Sequence, residues 1–150
     1  MKIVEALLDK LDSSVHDRGA PEELKYIARG SDRLAYRIAN NRYGEEYRGK
    51  VVKIAKDQHS SKNNLLENET WNSVKNTDSG HLFCPVHYCD PDGKFLIMDY
   101  VKPAPENQES LNFCKKMRSK LPIADINRQN IGLHKERGYV MIDYPWGELD

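Results

Sequence analysis

Asp125-Ile126-Asn127-Arg128-Gln129-Asn130, followed after a short hairpin pattern by Ile142-Asp143-Tyr144, is the stretch whose reading decides the fold of this chain. Asn130 stands five positions after Asp125, and Asp143 thirteen positions after Asn130. Tyr139-Val140-Met141-Ile142 reads as the second strand of the hairpin that joins them. Each residue alone has an ordinary explanation. Asp125 and Asn130 suit a turn for the sake of local hydrogen bonds, and Asp143-Tyr144-Pro145 would end a strand. What those ordinary explanations must also account for is all of them in this order, with two set gaps and an intervening hairpin.

Working outward, Lys50-Val51-Val52-Lys53-Ile54-Ala55-Lys56 predicts a β-branched strand with Val51, Lys53 and Ala55 on one face. Upstream, Gly30 and Ser31 interrupt an extended run from Tyr26 to Ala39, which predicts two strands and a turn, and Asn40, Asn41 and Gly44 mark the next reversal. An amphipathic helix is expected over 3–12. Downstream, Leu65, Leu66, Glu69 and Val74 predict a helix over 63–76 that lies against a sheet, with Glu67 competing with Glu69 for its acidic position. Two further strands, 83–89 and 94–101, flank the turn Asp90-Pro91-Asp92-Gly93. Pro103-Ala104-Pro105-Glu106-Asn107 reads as a connector, and Ser110 to Lys120 as a short helix stopped by Pro122. The fold class expected is α+β: an N-terminal lobe over 1–102 with a five-stranded antiparallel sheet and one main helix, then a reduced C-terminal lobe over 103–150.

Gly30-Ser31 between two strands, Lys53 on a strand, Glu69 on a helix, then Asp125, Asn130 and Asp143 follow one another in an order that resembles the protein-kinase-like superfamily. Asp125 to Asn130 matches the Asp-x-x-x-x-Asn of its catalytic loop, and Ile142-Asp143-Tyr144 resembles its metal-binding Asp-Phe-Gly strand end, with Gly147 following later. Leu96-Ile97-Met98-Asp99-Tyr100-Val101 resembles the strand and hinge that bond adenine. The resemblance implies ATP and Mg²⁺ as cofactors. It places Met98 at the back of the nucleotide pocket, Asp99, Tyr100 and Val101 at the hinge, and Gly30 and Ser31 near the phosphates. Lys53 would hold the phosphates with Glu69 as its partner, Asn130 and Asp143 would bind the metal, and Asp125 would be the catalytic carboxylate.

The chain departs from the family in having one glycine in Ala28-Arg29-Gly30-Ser31-Asp32, a form nearer the kinases of small molecules. Pro122-Ile123-Ala124 stands where the family has its catalytic-loop histidine, and the large helical part that binds the acceptor is not represented. The resemblance therefore implies either of two functions. One is a small phosphotransferase acting on a hydroxyl of a protein or small molecule. The other is a reduced kinase-like binding module that recognises a protein partner, as a viral or plasmid-borne regulator, an immunity protein or an antitoxin would. A homodimer that supplies the missing lobe is compatible with both.

Composition narrows the alternatives. The 150 residues carry 23 basic and 23 acidic side chains, so no net field favours nucleic acid or an anionic membrane. No apolar run approaches membrane-spanning length, and Met1 to Asp9 lacks the pattern of a signal peptide. Cys84, Cys89 and Cys114 are odd in number and form no CxxC pair, which suits reduced thiols and a cytoplasmic protein. His81, Cys84, His87 and Cys89 lie close in sequence but lack paired zinc knuckles, and strand alternation sets Cys84 opposite His87 and Cys89.

Overall fold

The structure, a computed structural model, describes residues 24–29, 33–39, 45–121, 126–147 and 149. The expected helix over 3–12, the turn at Gly30-Ser31, the reversal at Asn40-Asn41-Gly44, Pro122 and Asp125 lie outside these residues. The chain is α+β, with antiparallel sheets and two α-helices among the described residues. It divides into two compact units, residues 1–65 with 86–100, and residues 66–85 with 101–150. The expected lobe boundary after residue 102 lies near the division at Tyr100, but the second unit also takes 66–85. No helix among the described residues is long and apolar enough to cross a membrane.

The first unit is built on β1 (Leu24–Arg29), β2 (Arg33–Ile38), β3 (Val51–Ala55), β4 (Val86–Cys89) and β5 (Phe95–Met98). They form one sheet in the order β1-β2-β3-β5-β4, antiparallel throughout. The β4–β5 reversal is held by Asp90, whose carboxylate accepts from Phe95 N at 2.7 Å while its carbonyl accepts from Gly93 N. Gly93 has φ +73°, and a Cβ there would stand 2.2 Å from the Ser61 carbonyl oxygen, so this turn requires glycine. The last two strands are shorter than expected. Phe83 instead makes a lone parallel bridge to Met141 in the second unit.

Helix α1 (Gln58–Val74) begins five residues earlier than expected. Asp57 supplies the reason: its carboxylate accepts from Ser60 N at 2.9 Å, and Ser60 Oγ accepts in return from Asp57 N at 3.0 Å. This reciprocal cap satisfies donors that a helix start leaves open. The expected stripe of Leu65, Leu66 and Val74, with Glu69 beside it, holds at Val74 and is corrected at Leu65. Ser60, Asn64, Glu67, Thr70 and Val74 are buried, while Leu65 is 39% exposed and Glu69 is exposed. Hydropathy periodicity selected the wrong face because most of the buried side chains are polar.

In the second unit β6 (Lys102–Pro103), β7 (Ile131–His134) and β8 (Gly138–Met141) form an antiparallel sheet in that order. The expected connector at Pro103 thus begins as a strand, its proline at the sheet edge where no ladder donor is needed. Helix α2 (Gln108–Lys120) is capped by Asn107, whose side chain accepts from Ser110 N. It buries Phe113, Cys114 and Met117, and Phe113 stacks on Tyr139 at 5.7 Å. Phe83, Tyr144 and Trp146 form an aromatic cluster, and the Tyr144 hydroxyl donates to the Cys84 carbonyl.

Candidate functional site

Strand register assigns the side chains of the first unit to faces. Ala35, Lys53 and Leu96 are level with one another across β2, β3 and β5, and Arg37, Val51 and Met98 form the adjacent row. Directly paired residues project to the same side, so Lys53 and Met98 share a face. Leu34, Tyr36, Val52, Ile54, Phe95 and Ile97 occupy the other face and are almost wholly buried. Lys53, half-buried, therefore sits on the mixed polar face beside the buried Val51 and Met98.

A buried polar network underlies this face. Arg33 pairs with Ala55, one row beyond Lys53, and its Nη1 donates to Asn64 Oδ1 at 2.9 Å. The Asn64 amide nitrogen donates to the Gly93 carbonyl at 2.9 Å and the Lys53 carbonyl at 3.3 Å. Neither Arg33 nor Asn64 was singled out by sequence reasoning. The signal available was Ser60, Asn64, Glu67, Thr70 and Val74 at helical spacing, which emerges once polar residues are counted as candidates for burial.

At the far end of β5, Asp99 Oδ1 lies 2.6 Å from His87 Nε2 and 3.1 Å from Lys50 Nζ. A carboxylate only accepts, so in this arrangement Nε2 carries the proton. The Arg37 guanidinium lies 4.1 Å from the Tyr100 ring centroid. The side chains of Asp99 and Tyr100 are thus engaged by cations of their own unit. Their backbone groups are the part that the resemblance assigns to adenine.

In the second unit, the β7–β8 ladder pairs Ile131 with Met141. One residue beyond it, Ile142 N donates to the Asn130 carbonyl at 2.9 Å, which sets Asn130 against the segment Ile142-Asp143. Asn127 shapes the approach by accepting from Gln129 N through its side chain at 2.9 Å. Asn130 and Asp143 are both half-buried and both engaged in further interactions. On α1, Glu67 is fully buried and also engaged, whereas Glu69 is exposed. Thr70 Oγ1 donates to the Gly147 carbonyl at 2.7 Å.

Of the residues expected from sequence, the structure brings together Lys53 and Met98 in the first unit, and Asn130 and Asp143 in the second. Val101 and Glu69 belong to the second unit, and Gly30, Ser31 and Asp125 lie outside the described residues. Among the described residues, His81, Cys84, His87 and Cys89 form no cluster that could hold a metal. No protein-family model matches this chain, and no curated protein is significantly similar to it.

Proposed function

We propose that this chain binds ATP with Mg²⁺ as a kinase-like protein and transfers a phosphoryl group to a hydroxyl of a protein or small molecule. The observation that carries the reading is the sheet order β1-β2-β3-β5-β4 with Lys53 on its third strand, facing the same side as Met98 on the strand before the hinge-like segment. Kinase-like proteins carry their phosphate-holding lysine on the third strand and its acidic partner on the following helix. Helix α1 follows β3 here. A partner that must stay in one geometry benefits from burial, so Glu67 suits the role better than the expected Glu69.

The juxtaposition of Asn130 with Ile142-Asp143 supports the metal half of the reading, because an amide oxygen and a carboxylate are donors that Mg²⁺ accepts. In the transfer, the acceptor oxygen forms a bond to the γ-phosphorus as the bond to the ADP oxygen breaks, and Asp125 takes the hydroxyl proton. Asn130 and Asp143 would hold Mg²⁺, which when bound would supply charge neutralisation on the phosphate oxygens.

A thermal-shift titration with ATP and Mg²⁺ tests the binding. The wild type is expected to gain stability in a metal-dependent manner, and Lys53→Ala and Asp143→Ala to lose that gain. No shift in the wild type would sink the reading. Radiolabel transfer to the protein itself or to a cell extract, lost in Asp125→Ala, separates a phosphotransferase from a module that only binds. Glu67→Gln should weaken the ATP shift more than Glu69→Gln, and the reverse order would return the helix role to Glu69.

A further inference from the structure

The second unit holds a cavity of about 330 Å³ that no residue of the nucleotide reading lines. Its apolar wall is made by Val74, Leu82, Phe83, Met117, Leu121 and Leu149, and Ser73, Thr77, Ser79 and Lys120 bring polar groups to it. A concave, mainly apolar space with a few placed polar groups is the form that small-molecule sites take, and this volume suits a small ligand. We propose that the cavity binds a small amphiphilic anion, with its apolar chain against that wall and its negative group at Lys120.

The lining residues are fixed by bonds made within the unit, so the space is built in advance. Thr77 Oγ1 donates to the Val74 carbonyl at 2.7 Å and shapes the turn after α1. Ser73 Oγ donates to the Thr70 carbonyl at 2.8 Å and accepts from Leu149 N at 3.0 Å, which anchors Leu149 at the cavity. Leu121 N donates to the Met117 carbonyl at the end of α2, and Phe83 packs edge-on against both Tyr144 and Trp146. Charge then selects the occupant. Among the described residues Lys120 is the one full charge that lines the cavity, and it is exposed and pairs with no described carboxylate. Arg118, the other cation in the last turn of α2, is engaged by the Ile126 carbonyl at 2.9 Å. The Ser79 hydroxyl makes no cap bond and is a second donor for an anionic group. Both helices end at this cavity, but the Val74 and Met117 carbonyls there already accept bonds, which leaves the ammonium group as the deciding charge.

Methyl NMR of the isotope-labelled full chain, titrated separately with octanoate, octanol and octylamine, locates and ranks the binding. Octanoate is expected to shift the methyl signals of Val74, Met117, Leu121 and Leu149 saturably, and to bind more tightly than the alcohol or the amine. Lys120→Gln should raise the octanoate Kd about fivefold, the scale of one exposed ion pair. Its octanol Kd should stay within about twofold of the wild type, because the apolar wall is untouched. Circular dichroism melts establish that the variant is folded, and if it is not, the ranking of the three ligands on the wild type decides alone. Shifts that fail to saturate, or that fall outside the cavity, would overturn the site. Octylamine binding as tightly as octanoate, or an unchanged octanoate Kd in folded Lys120→Gln, would overturn its preference for an anion. A failure of ATP to bind leaves the proposal standing, because no residue of the nucleotide reading takes part in it.

Discussion

Helices α1 and α2 bury their inner faces in opposite ways. Over 17 residues α1 buries Ser60, Asn64, Glu67 and Thr70 before its first fully buried apolar residue at Val74, whereas α2 in 13 residues turns inward Phe113, Cys114 and Met117 behind Ser110. An apolar stripe holds a helix by area removed from water, which is non-directional and tolerates small shifts. A hydrogen-bonded stripe holds it by specific donors and acceptors, each costly to leave unpaired in the interior. The lesson of α1 is that a helix can be anchored with little apolar burial when its side chains replace water at particular backbone groups.

Replacing Asn64 should break that comparison most severely. Asn64→Ala is expected to cost about 4 kcal/mol in urea unfolding, since one charged donor and two carbonyls lose a partner in the interior. Asn64→Leu should be no better. If leucine restored wild-type stability, the stripe of α1 would be held by burial after all, as that of α2 is. Met117→Ala should cost about 3 kcal/mol by leaving a cavity under α2, and Met117→Leu should recover most of it.

Smaller effects arise at the helix starts. Asn107→Ala removes the side-chain acceptor for Ser110 N and should cost about 1 kcal/mol, with Asn107→Asp close to neutral. At the start of α1 the effect is one of pH. The Ser60 backbone N–H, and next its hydroxyl, hold the Asp57 carboxyl below its ordinary range. A carboxyl whose folded-state value is depressed contributes stability above its unfolded value and loses it on acidification. The contribution should therefore be complete above about pH 4, the ordinary value for Asp, and decline as pH falls below it. Asp57→Asn keeps an acceptor for Ser60 N and should flatten that part of the pH profile of unfolding midpoints. An unchanged profile would remove the cap from the acid response.

The legible parts of the chain were those in which local chemistry and tertiary role agree. The β-branched run at 50–56, the Asp90-Pro91-Asp92-Gly93 turn and the hairpin ahead of Asp143 all declare themselves through propensity and turn residues, and each is found where expected. The α1 stripe was not legible, because Asn64 and Glu67 look like surface residues until the groups that meet them are known. Nor was β6, since Lys102 and Pro103 have no strand character of their own and are recruited by pairing with Leu133 and Gly132.

The candidate site divides along the same line. Sequence alone set the order of Lys53, Asn130 and Asp143, and the hairpin that separates the last two, because order and short-range spacing are covalent properties of the chain. Tertiary structure decided that Lys53 shares a face with Met98, that Asn130 lies against Ile142-Asp143, and that Asn64 rather than Leu65 is turned inward. Those outcomes depend on strand register and on which buried carbonyls and cations stand opposite the helix. Both are set by residues distant in the chain and are invisible to any local window.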